Sequence, residues 1–183
     1  TTHKPAMSSN IVFDDSTKRV WVVNQDNNSV SVFNAATNAR LAEIPVGSGP
    51  RTLAVAPNGN VWVANKHAAT ISVINPATFA VVQTRSLPFA SQPFGIAFAP
   101  TGGFAFVTLE ASGTLLKLDA VTGATVANLA VGRNPRQVSV NADGTTVYVS
   151  RFITPPLPGE HTALVQPGTA GGEVLRVAAA SMT

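Results

Sequence analysis

The sequence says the same thing four times, and no other property limits its fold so tightly. Four aromatic anchors, Trp21 in VWVVN, Trp62 in VWVAN, Phe106 in AFVTL and Tyr148 in VYVSR, follow one another at steps of 41, 44 and 42 residues. Each anchor lies in a short stretch where apolar side chains alternate, the period-2 signature of a half-buried strand. A turn precedes each one, in the forms DDSTKR, PNGN, PTGG and NADGT. Nine residues after each of the first three anchors a further apolar strand begins, at Val30, Ile71 and Leu115. These strands end at Asn34, Asn75 and Asp119, residue types that hold a following turn through side-chain to backbone bonds. A fourth strand follows (LAEIPV, VVQTRSL, TVANLAV), then a Gly/Pro corner (VGSGPR, ASQPFG, VGRNPR).

Four short strands in each period of some 40 to 45 residues define an all-β chain of β-propeller blades, each a four-stranded antiparallel sheet. The blades span about 8–47, 50–87, 93–131 and 135–177, within a single domain covering 1–183. The fourth departs from the pattern twice. Val174 follows Tyr148 by 26 residues where the other blades need nine, and the excess forms a Pro/Gly-rich insertion over 151–171. After EVLRV no fourth strand is written, so the last blade is incomplete. An incomplete set leaves sheet edges open, since only a closed ring removes them. The expectation is a partial propeller that belongs to a longer one or pairs with another copy, unless Thr1 to Met7 supplies the missing strand.

The segments VWVVN, VWVAN and VYVS, with VSVFNAATN, ISVINPAT, IPVGSGPRTLAVAPNG and LAVGRNPRQVSVNADG, resemble the YVTN-type β-propeller repeats of bacterial and archaeal surface and periplasmic proteins. The resemblance covers nearly the whole chain and implies an exported protein: periplasmic, secreted or on the cell surface. It does not imply one function, because a fold is a platform for many sites. The expectation is a non-catalytic binding or scaffold module whose partner is a protein or an anionic small molecule or glycan. The alternative is part of a propeller enzyme, a lyase or a redox protein associated with a cytochrome-type domain.

Composition removes several other classes. Twelve Lys and Arg against nine Asp and Glu give a net charge of +3 with no basic cluster, too weak a field for a nucleic-acid binder. Cysteine is absent, which excludes disulfides, c-type haem attachment and thiolate metal sites on these residues. No apolar run approaches the roughly 20 residues of a membrane helix. TTHKPAMSSN is polar and has no signal-peptide core. Neither a nucleophile elbow nor a phosphate or dinucleotide loop is present, so no catalytic residue, metal ligand or cofactor is assigned.

If the first strand of every blade lines the axis, the corners before it and the loops after the second strand share one end, the top. That end collects Arg51, Lys66, His67, Arg136, Arg151, Glu160 and His161 as candidate ligand-binding residues, with Asn24, Arg133, Asp26 and Glu110 nearby. Guanidinium groups gathered there suit a carboxylate, phosphate or sulfated glycan, to which they donate paired hydrogen bonds. The competing reading is that Arg51 and Arg136, each following Pro at one blade position, bond carbonyls of neighbouring blades. His67 and His161 could meet Glu160 or Glu110, but their spacing demands neither a metal nor an acid/base pair. The anchors Trp21, Trp62, Phe106 and Tyr148 are expected to fill spaces between sheets.

Overall fold

A computed structural model describes residues 7–100, 102–153, 158 and 172–183, and these form an all-β propeller without helices. Blade one contains β1 (Ile11–Asp14), β2 (Arg19–Asn24), β3 (Ser29–Asn34) and β4 (Arg40–Pro45). Blade two contains β5 (Pro50–Val55), β6 (Val61–Asn65), β7 (Thr70–Asn75) and β8 (Ala80–Ser86). Blade three contains β9 (Pro93–Phe98), β10 (Phe104–Leu109), β11 (Thr114–Asp119) and β12 (Thr125–Ala130). Blade four has β13 (Pro135–Val140), β14 (Thr146–Arg151) and β15 (Val174–Ala178), and no fourth strand among the described residues. Each sheet is an antiparallel meander in chain order, with its first strand innermost.

The turn chemistry is local. Asn34 Oδ1 accepts from the amides of Ala36 and Thr37 at 2.9 and 3.0 Å. Asn75 Oδ1 accepts from Ala77 at 2.8 Å, and Asp119 Oδ1 from Val121 and Thr122 at 3.0 and 2.6 Å. The three strand ends solve one problem in one way.

The core lies in the seams between successive blades. In the first seam Trp21 enters a slot formed by Leu53, Val55, Val61, Val63 and Ile74 of blade two. Trp62 does the same against Ile96, Phe98 and Val107 of blade three, meeting the Phe98 ring edge-on at 5.1 Å. Phe106 packs against Val138, Val140, Val147 and Val149 of blade four. All three anchors are at most 1% exposed, and burial of each such side chain contributes roughly 1.5 to 3 kcal/mol. Tyr148 does not follow them: it is 39% exposed, because no described blade follows blade four to provide its slot. The matching slot on blade one is open too, with Ile11 and Phe13 54% and 45% exposed.

Of Thr1 to Met7, residues 1–6 lie outside the described residues, and Met7 itself does not join an outer strand. Met7 bridges Ser139 of β13 and Ser9 bridges Leu53 of β5, so residues 7–9 lie along the axis between two inner strands. The Ser8 amide donates to Val138 O at 2.8 Å, and its hydroxyl to Gln137 Oε1 at 2.6 Å. Inner strands approach closely here. A Cβ on Gly95 would stand 2.2 Å from the Arg136 carbonyl oxygen, which explains a glycine where the other blades carry Thr52 and Gln137.

Candidate functional site at the top of the axis

Two positions of each repeat meet at the top: the residue after the corner proline, and the residue four places after the aromatic anchor. The first set is Arg51, Phe94 and Arg136; the second is Gln25, Lys66, Glu110 and Phe152. Across every seam the corner residue of one blade touches the post-anchor residue of the blade before it. Arg51 donates from a terminal nitrogen to Gln25. Phe94 lies beneath the Lys66 ammonium, 5.8 Å from its ring centre. Arg136 Nε donates to Glu110 Oε1 at 2.7 Å.

Glu110 is the hub, because Lys66 Nζ also donates to its Oε2, at 2.5 Å. The carboxylate thus joins blades two, three and four while only 6% exposed. Burial alone would raise its pKa, but hydrogen bonds from Lys66 and Arg136, with their charges, outweigh it and hold the group below the ordinary value of 4.5. Glu110 is therefore ionised near neutral pH and offsets one of the two cations it holds.

Arg136 is fixed on three sides. Besides Glu110, the Phe152 ring lies 3.4 Å and the Phe94 ring 5.0 Å from its guanidinium carbon. Such stacking contributes about 0.5 to 2 kcal/mol and holds the planar fork in one orientation. Among the described residues the two terminal nitrogens of Arg136 donate to no partner. Its partner Glu110 lines a cavity of about 550 Å³ that opens between blades three and four, together with Ser112, Gly113, Gly132, Arg133 and Asn134.

The remaining candidates are placed differently. Arg151 donates to Glu173 at 2.5 Å and to the Arg133 carbonyl at 2.9 Å, closing the rim of blade four. His67 is exposed, its ring against Gly49, where a Cβ would stand only 2.6 Å away. It does not approach Glu110, whose oxygens are taken by Lys66 and Arg136. Glu160 and His161 lie outside the described residues. The structure therefore brings together Lys66, Arg136 and Glu110, sets Arg51 one seam away, and leaves His67 and Arg151 at the rim. Arg51 and Arg136 bond side chains of the preceding blade rather than neighbouring-blade carbonyls. Phe94 and Phe152 are the members that sequence reasoning missed; aligning the two repeat positions would have found both. No group of three or more His, Asp or Glu converges on a possible metal position among the described residues.

A propeller with an ordered charged cluster at one end of its axis is the class these features define. Residues 6–149 match the profile described as "Domain of unknown function (DUF5074)", and the chain belongs to that family. No curated protein matches the chain in sequence. Among solved structures it is similar to hydrazine synthase of Kuenenia stuttgartiensis, with a TM-score of 0.76 at 20% identity, covering 97% of this chain and 47% of that one. It is also similar to a protein from Lactobacillus plantarum (TM-score 0.66, 17% identity, 76% of this chain and 49% of that one). Virginiamycin B lyase from Staphylococcus aureus gives a TM-score of 0.66 at 16% identity, covering 98% and 59%. The chain spans about half the length of the first two. At these identities the likeness carries the fold alone.

Proposed function

We propose that this propeller is a non-catalytic binding module of an exported or cell-surface protein, and that it holds an acidic ligand at the top of its axis. The observation that carries the reading is Arg136: a guanidinium oriented by Glu110, Phe94 and Phe152, whose terminal nitrogens bond no partner among the described residues, next to the Glu110 that lines an open cavity. An arginine held this way loses little side-chain freedom on binding, which favours a bidentate carboxylate or sulfate contact. Exposed Arg133 at the cavity wall provides a second cation for the same ligand. Export rests on the resemblance of the repeats to surface and periplasmic propellers.

Calorimetric titration with a heparin tetrasaccharide, at low and at raised salt, tests the reading. Saturable binding that weakens with salt is expected, and Arg136→Ala should lower affinity about tenfold or more, the worth of one charge-assisted contact. Arg40→Ala, on the exposed outer strand of blade one, should leave it unchanged. Absence of binding, or equal loss in both variants, refutes the proposal for acidic glycans.

A further inference from the structure

Each of the three seams is locked at the bottom, the end opposite the charged cluster, by a cation of the earlier blade that reaches turn carbonyls of the next. Arg19 of blade one donates to Pro76 O at 2.5 Å. Arg85 of blade two donates to Thr122 O and, at 2.9 Å, to Val121 O. Lys117 of blade three donates to Ala179 O at 2.8 Å and to Ala180 O at 3.4 Å.

The third lock differs from the other two in burial and in charge. Arg19 and Arg85 are partly exposed, so water shares their charge. Arg85 is also attracted by the carboxylate of Asp119, the strand end of the blade it reaches. Lys117 is only 6% exposed and forms no ion pair among the described residues. Asp119 stands opposite Phe104, two residues before the anchor Phe106; Ala178 stands opposite Thr146, two residues before Tyr148. Blade four thus carries an alanine where blade three carries the acid, and the third seam lacks the counter-charge of the second.

Space is left in the same place. The anchor of this seam is Phe106 rather than a tryptophan, and the turn it faces is a run of three alanines. A cavity of about 250 Å³ opens between them, lined by Phe104, Phe106, Lys117, Ala178, Ala179 and Ala180 among others. The Lys117 ammonium sits at its wall, bonded to the carbonyls of two lining alanines and 4.2 Å from the ring centre of Phe104. An ammonium has three N–H donors. Two go to those carbonyls, and the third has no partner among the described residues.

From this unmatched buried cation in an apolar cavity we infer a second binding site, separate from the top cluster, for a small monocarboxylate with an apolar body. The carboxylate accepts the remaining Lys117 N–H and supplies the charge that Asp119 supplies one seam earlier. The hydrocarbon part lies against Phe104, Phe106 and the alanines. Buried charges are stabilised by pairing, which selects an anion over a neutral ligand. One free donor among apolar walls suits a carboxylate better than a phosphate, whose several charged oxygens need more donors. The volume is below that of pockets for drug-sized ligands, which keeps the occupant small.

Titration of the isotopically labelled 18.9 kDa chain with benzoate, followed by amide NMR, tests the inference, with benzyl alcohol as the uncharged probe of similar size. Benzoate should saturably shift the amides of residues 178–180. It should bind about tenfold or more tighter than benzyl alcohol, the worth of one charge-assisted hydrogen bond. Lys117→Met should reduce benzoate to the affinity of benzyl alcohol. Ala180→Phe, at an exposed turn position that the core does not depend on, should weaken both probes. Arg136→Ala should leave benzoate binding unchanged, so the outcome is independent of the acidic ligand proposed for the top. Equal affinity for the two probes, shifts confined to the top loops, or no saturable shift at all overturns the inference.

Discussion

Replacing Glu110 by Gln isolates the charge at the centre of the top cluster, since the amide keeps the shape of the carboxylate. The substitution leaves Lys66 and Arg136 without their counter-ion. Removing one partner of a fully buried pair costs about 3 to 5 kcal/mol. Here the side chains of Lys66 and Arg136 retain 14% and 26% exposure, so water recovers part of that loss. Roughly 1.5 to 3 kcal/mol is the expected cost, and for a chain of this size each kcal/mol lowers Tm by about 2 to 4 °C. A fall of about 4 to 10 °C at pH 7 follows, read by thermal unfolding in circular dichroism. The pH dependence gives the sharper criterion. The folded pKa of Glu110 lies below the ordinary 4.5, so its contribution is full above that value and is lost as pH falls through the folded pKa. The gap between wild type and Glu110→Gln should therefore stay constant from about pH 7 to pH 5 and close only in more acid solution, as pH falls through the lowered folded pKa. A gap that persists unchanged in acid, or a Tm within about 1 °C at pH 7, refutes the hub role.

Two further substitutions probe the axis and the lower lock. Gly95→Ala pushes a methyl into the Arg136 carbonyl at 2.2 Å, a backbone contact that cannot yield cheaply. A loss of about 3 kcal/mol or more is expected in urea unfolding, with poor soluble yield as the extreme. Lys117→Met retains the apolar stem where the first two blades carry Val32 and Val73, but removes the ammonium that holds Ala179 and Ala180. Overall stability should change by less than about 1.5 kcal/mol, while amides of residues 178–183 exchange faster with deuterium; unchanged exchange there refutes the lock.

The strand plan was legible because it rests on local chemistry repeated four times. Alternation, Asn/Asp strand ends and proline corners marked where strands begin and stop, and the anchors fixed their register. Tyr148 was misjudged for a physical reason: its position in the repeat equals that of Trp62, but burial requires a following blade. The central role of Glu110 was also hidden. In the segment TLEASGT it reads as one acid on a loop, and its burial comes from Lys66 and Arg136, which stand 44 and 26 residues away. Phe94 and Phe152 looked like ordinary apolar residues until the corner and post-anchor positions were laid side by side. The cation at the bottom of each seam escaped because Arg19, Arg85 and Lys117 occupy different strands of their blades and converge only in space.

The axial segment Met7–Ser9 imposes an order on folding. Within a blade, partners lie a hairpin apart, and such contacts form in microseconds. Ser8, in contrast, meets Gln137 across 129 residues of intervening chain. Closing so long a loop is entropically slow to reward, and folding rates fall as contacts become more distant in sequence. The blades thus assemble outward from their own turns, and the hub joins last. During synthesis, Ser8 emerges well before Gln137 and meets it only once β13 has been made, whereas Ser9 finds Leu53 of β5 earlier. Until Met7 and Ser8 reach it, the inner edge of β13 is unpaired, and that interval exposes the chain to pairing with the wrong strand.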